Sequence, residues 1–113
     1  MAKKTLEHLS IKRAEGILTK TLGLMFKKNV DYGLLIPFRN ESAKIKIHSH
    51  FVFFSFHAIF LDSEKRIVDV KKNISPFSGQ ISPDKPARYV LEVPADKIDI
   101  DETDLSIGRK LEL

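Results

Sequence analysis

The sequence predicts a single, mainly β domain, a small barrel or sandwich-like sheet with one or two short helices. Three observations predict it. The stretch from His50 to Leu61 is apolar on both parities, with Val52, Phe54, Phe56, Ala58 and Phe60 on one and Phe51, Phe53, Ile59 and Leu61 on the other. Such a run belongs to strands covered on both faces. Just before it, Lys44, Lys46 and His48 alternate with Ala43, Ile45 and Ile47, the period-2 pattern of a strand with one wet face. Eight phenylalanines and no tryptophan then supply the bulk of a β-rich core. With 113 residues, 42% hydrophobic and 30% charged, the chain has room for one globular core and not for two.

Along the chain, residues 1–11 read as an N-terminal arm, or alternatively as a strand starting near Leu9 or Ile11, and residues 12–113 as the domain. Arg13 to Ile17 reads as a short extended segment. Thr19 to Lys28 reads as a short helix, centred on Thr19 to Phe26, with a threonine cap and two lysines in its last turn. Tyr32 to Phe38 is a strand in which Pro37, lacking an amide hydrogen, belongs at an edge or an end. Arg39 to Ser42 reads as a turn. Lys44 to Leu61 is too long for one ordinary strand, so a bend or bulge is expected near Ser49 or Ser55. Asp62 to Arg66 is a polar hairpin turn that returns into Ile67 to Val70. Residues 73–88, with Pro76, Pro83 and Pro86, form a long loop of the kind that often carries function. Arg88 to Val93 is a strand, Pro94 to Ile98 opens as a single helical turn, and Lys110 to Leu113 alternates again and closes the sheet. The expected core contains Leu24, Leu35, Ile45, Phe54, Phe60, Val68, Val90 and Leu91.

The ordered set Gly23-Leu24-Met25-Phe26, Gly33 to Phe38, Ile59-Phe60-Leu61-Asp62, Pro76-Phe77, Tyr89 to Ala95 and Ile107-Gly108 resembles the domain of unknown function 192 family, an uncharacterised bacterial and archaeal family. The resemblance covers roughly residues 12–113. It implies a compact, mainly β domain with one or two short helices, and no established activity. The chain departs from that pattern in places. Ser55-Phe56-His57 stands where relatives carry Pro–Leu/Ile–Asp, Asp96 where they have glycine, and Phe77 where archaeal relatives often have tryptophan. Any site in relatives that used that aspartate is in doubt here.

Several function classes fall away on composition. No cysteine is present, which excludes disulfide scaffolds, thiol catalysis and cysteine-ligated zinc. The chain has no GxSxG elbow, HExxH pair or phosphate-cradling glycine loop, so nothing argues for catalysis and no cofactor is expected. Nineteen Lys/Arg against fifteen Asp/Glu give a mild +4. The excess lies in residues 1–50, with ten basic against four acidic side chains. Exposed aromatics for base stacking are not evident beside it, which argues against a nucleic-acid partner. Glu7, His8, Lys12, Arg13 and Glu15 interrupt any signal-peptide run, and Phe51 to Leu61 is too short to span a bilayer. The expectation is a cytoplasmic protein with no membrane partner. Asp99, Asp101, Glu102 and Asp104 fail the calcium-loop pattern, because Asp104 occupies the glycine position and Lys110 the final ligand position.

What remains is a binding or accessory module for a small molecule or protein partner. Its expected surface comprises the 73–88 loop, with Phe77 as apolar anchor and Arg88 at its end, and the polar edge carrying His48, His50 and His57. His48 and His50 project from one strand face, and a bulge at Ser55 would return His57 to it. Three imidazoles there would suit a divalent metal in a metal-binding or hydrolytic protein. The alternative places His48 and His50 in solvent and packs His57 among phenylalanines with a backbone hydrogen bond.

Overall fold

A computed structural model describes residues 9–13, 31–42, 47, 53–77, 81–99 and 105–113. Within them the chain forms one five-stranded sheet. Its strands are β1 (Ser10–Arg13), β2 (Tyr32–Ser42), β3 (Phe56–Leu61), β4 (Ile67–Ile74) and β5 (Ala87–Pro94), in spatial order β1-β2-β5-β3-β4. β1 pairs with β2 in parallel, and the other three pairings are antiparallel. The expected helix around Thr19 to Phe26 lies outside the described residues, as do Leu24 and Ile45 of the expected core.

The double-faced apolar run explains why β3 sits inside the sheet. All six of its residues are buried, and it is paired on both sides. Phe56, Ala58 and Phe60 join Leu34, Ile36, Ile74 and Val90 on one face. Ile59 and Leu61 join Leu35, Ile67, Leu91 and Val93 on the other, where Ile98, Leu105 and Leu111 cover them. The expected core residues Leu35, Phe60, Val90 and Leu91 are buried, and Phe54 and Val68 pack against the first face. The Cα radius of gyration, 12.9 Å, matches the ~13 Å of a compact chain of this length.

Element boundaries differ from expectation in instructive places. The strand begins only at Phe56, immediately after Ser55, so the bend expected at Ser55 ends the regular structure instead of merely kinking it. Phe53, placed by parity in a buried strand, is therefore exposed. Arg39 to Ser42 continues β2 past a register shift and is not a turn, because Ser42 still pairs with Ala87. β4 runs on to Ile74, carrying two irregularities in its pairing with β3. Pro37 lies beyond the last β1 pair, Arg13 with Leu35, so among the described residues β2 has no partner on that side at Pro37, as suits a residue without an amide hydrogen. Lys97 N–H bonds the Pro94 carbonyl at 3.1 Å, giving the expected turn. At the C-terminal side, Gly108, Arg109 and Leu111 hydrogen-bond the β3–β4 hairpin at Lys65 and Ile67, and Lys110 bridges Arg66.

The topology requires two long connections. β4 and β5 are each antiparallel to β3, hence parallel to one another, so residues 75–86 must return along the sheet. β2 and β3 are likewise parallel, each antiparallel to β5, so residues 43–55 must also return. Ile47 of one connection and Ile81 of the other form an antiparallel bridge, with reciprocal N–H to carbonyl bonds of 2.8 and 2.7 Å. Both pack on the Phe56–Phe60 face. Their two side chains cover part of that face.

Candidate functional site

The two connections meet again beside the Phe56–Ile74 end of the sheet. There Phe53 and Phe77 stand edge to face, ring centroids 5.5 Å apart at 62°. Both residues are exposed, at 42% and 55%. Phe77 also holds φ at 58°, a left-handed conformation that side-chain-bearing residues rarely adopt. The position of Phe77 as an exposed aromatic on the long loop agrees with the sequence reading. Its partner Phe53 was hidden by a parity argument that holds only within a regular strand.

The connection is anchored to β4 by Asp69, whose side chain is 12% exposed. Its Oδ2 accepts the Asp84 N–H at 2.8 Å and its Oδ1 the Val70 N–H at 2.8 Å. Lys71 Nζ spans Asp69 Oδ2 at 3.3 Å and Asp84 Oδ1 at 3.2 Å. The hydrogen bond to Asp84 is the main reason the Lys71 ammonium is held above the usual lysine range. Desolvation pulls it the other way, and Asp69 adds to the rise. A buried carboxylate accepting two backbone amides is a strong positional clamp, whereas the solvent-facing Lys71–Asp84 pair adds little. No local sequence signal marked Asp69, because its partner amide lies fifteen residues away.

His57 is only 1% exposed and accepts the Asn73 N–H on Nδ1 at 3.0 Å. An acceptor Nδ1 means a neutral ring with its proton on Nε2. Asn73, with φ of 52°, sits where β4 slips against β3, so its amide turns to the imidazole. His57 thus lies in the interior and does not contribute to an accessible ligand surface. This corrects its placement on the polar edge, since register opposite Val93 turns it inward. His48 and His50 lie outside the described residues. Among the described residues no three His, Asp or Glu side chains converge to hold a metal ion.

Arg88 and Phe77 do not share a patch. Tyr89 pairs with Leu61 and Pro94 with Phe56, so Arg88 lies beyond the Leu61 end of β3 and the aromatic pair beyond its Phe56 end. The Arg88 guanidinium carbon is 5.3 Å from the Tyr89 ring centroid, and its Nη1 is buried without a hydrogen-bond partner.

Sequence reasoning missed Glu92 altogether. It stands on β5 between Leu34 and Ala58, on the face closed by the two connections, and is 7% exposed. Desolvation pushes its carboxyl up to about 7. Its position in an apolar strand, Val-Leu-Glu-Val, was the available signal, since a central strand buried on both faces leaves no wet side for it.

The profile of the DUF192 family, described as an uncharacterised group, matches residues 1–113. A UPF0127 protein of Thermococcus kodakarensis is 33% identical over 102 residues, covering 87% of this chain and 64% of that one. A UPF0127 protein of Pyrococcus horikoshii is 38% identical over 85 residues, covering 74% and 71%. The chain spans less than two thirds of the Thermococcus kodakarensis relative's length. Two crystal structures share the fold. One is a Sinorhizobium meliloti protein proposed to be a transcription regulator, with TM-score 0.80, 24% identity and coverage of 92% and 81%. The other is a Novosphingobium aromaticivorans protein of unknown function, with TM-score 0.77, 18% identity and coverage of 93% and 75%. At such identities they speak for the fold alone.

Proposed function

We propose, from the premise that this chain belongs to the DUF192 family of uncharacterised proteins, that it is a non-catalytic binding module. Its contact surface is the exposed aromatic pair Phe53 and Phe77, and its partner presents an apolar side chain or ring, from a protein or a small molecule. One observation carries this reading. Two phenylalanines that a core would bury stand together in water, one of them in a strained left-handed backbone. Exposed apolar patches and retained strain concentrate at sites of recognition. The clamp from Asp69 to Asp84 supports the reading by tying the later part of the same connection to β4.

The test is a fragment screen on protein labelled at its phenylalanine rings, read by NMR. Small aromatic and branched aliphatic fragments are expected to shift Phe53 and Phe77 together. Phe77→Ala should abolish those shifts while costing no more than about 1 kcal/mol of stability, the worth of one edge-to-face pair. Unfolding of Phe77→Ala would show the ring to be a core element, and shifts confined to other phenylalanines would displace the proposed surface.

A further inference from the structure

We propose that Arg88 is the centre of an oxyanion-binding site, for a carboxylate or phosphate group, at the end of the sheet opposite the aromatic pair. The guanidinium offers five N–H donors, is charged at every relevant pH and accepts nothing. Yet Nη1 is buried with no acceptor in reach, and no ion pair ties Arg88 to a carboxylate among the described residues. Orphaned buried donors are rare in folded proteins and call for a missing partner, often an ion.

The two acids that strand register brings alongside Arg88 each use one carboxylate oxygen to accept backbone amides of the β3–β4 hairpin. One register step beyond the Leu61–Tyr89 pair, Arg88 comes alongside Asp62, whose Oδ1 accepts the amides of Glu64 and Arg66, each at 2.9 Å. Glu41, near the end of β2, accepts the Ser63 amide on Oε1 at 2.9 Å. Both carboxylates therefore hold the β3–β4 hairpin. A second cation stands on the same aromatic ring: Lys65 Nζ lies 5.6 Å from the Tyr89 centroid, against 5.3 Å for the Arg88 guanidinium. Lys65 itself is steered there by a 2.9 Å bond to the Leu113 backbone oxygen. Each cation lies within 6 Å of the ring centroid, and the Arg88 guanidinium is a planar fork suited to two-point contact with an oxyanion. Arg88 keeps part of its surface in solvent, so an anion meeting its outer edge can draw Nη1 out of its dry position.

The experiment follows the Arg88 Nε–Hε NMR signal as inorganic phosphate and, separately, succinate are added at ionic strength held constant with sodium chloride. A saturable shift at Arg88 and Tyr89 is expected. Phosphate alone, succinate alone or both acting would each support the site and would identify the ligand as phosphoryl, carboxylate or either. Arg88→Met should weaken binding by about tenfold or more, as loss of a charge-assisted pair requires. Arg88→Lys, which keeps the charge and loses the fork, should weaken it several-fold, and Lys65→Met by a smaller factor. If Arg88→Met fails to fold, the other two variants carry the comparison. No saturable shift with either anion, an equal shift from chloride, or unchanged binding in the Arg88 variants would overturn the proposal. Phe77→Ala should titrate like the wild type, so the aromatic surface and the anion site stand or fall separately.

Discussion

Replacing Glu92 with glutamine should reverse part of this domain's stability profile with pH. In the unfolded chain the carboxyl ionises near 4.5, whereas burial between Leu34 and Ala58 raises it to about 7 in the fold. Between those values the folded state holds a proton that the unfolded state releases, so folding is disfavoured as pH rises. Stability contributed by the neutral carboxyl is fully present below the unfolded value and is lost as pH passes through the folded one. A difference of about 2.5 pH units at 1.36 kcal/mol each gives a loss of about 3 kcal/mol between pH 4 and pH 8. That is a large share of the ~5–15 kcal/mol typical of a domain. Glu92→Gln keeps the shape and cannot ionise. Urea unfolding at a series of pH values should therefore show the variant gaining about 3 kcal/mol on the wild type from pH 4 to pH 8. A carbon NMR titration of the Glu92 carboxyl should give a midpoint near 7. A flat difference would mean that water reaches the carboxylate. A wild type that gains on the variant as pH rises would mean that a cation holds Glu92 ionised. Either refutes the desolvation argument.

Two further outcomes test the packing. Asp69→Ala should cost about 2–3 kcal/mol, because it strands the Asp84 and Val70 amides, and hydrogen exchange at Asp84 should accelerate more than at Val90 in the core. Loss of stability without that local acceleration would deny Asp69 its clamp. Gly33→Ala would place a Cβ 2.8 Å from Ile11 Cδ1, directly across the β1–β2 pair. It should cost about 1 kcal/mol, and Ile11→Val, which deletes Cδ1, should recover most of that in a double-mutant cycle. Simple additivity would show that β1 shifts aside freely.

Much of the site was readable for local reasons and the remainder was not. Phe77 stood out because prolines and small polar residues around it mark a loop, and a phenylalanine in a loop has no strand neighbours to bury it. Asp62 was readable as a turn residue, and its carboxylate does bind the amides of Glu64 and Arg66. Phe53, Asp69 and Glu92 were illegible as site residues because their environments come from segments far along the chain: Phe77 for the first, Asp84 for the second, β2 and β3 for the third. His57 was legible only as two alternatives. Its register opposite Val93 on β5 chose the buried one, and the slip of β4 at Asn73 supplied its hydrogen bond.

On its own, the order of residues determined that this polypeptide is β-rich, that Phe56 to Leu61 is covered on both faces, and where the hairpin from β3 to β4 turns. Those properties depend on side-chain volume, alternation and turn chemistry within a few residues. Only the tertiary structure decided that β5 lies between β2 and β3, and that Ile47 and Ile81, thirty-four positions apart, meet on one face. It also decided that Phe77 and Arg88, eleven positions apart, end at opposite ends of the sheet. Strand order is set by pairings between distant segments whose backbone hydrogen bonds are chemically alike, so no short stretch of sequence encodes which partner is chosen.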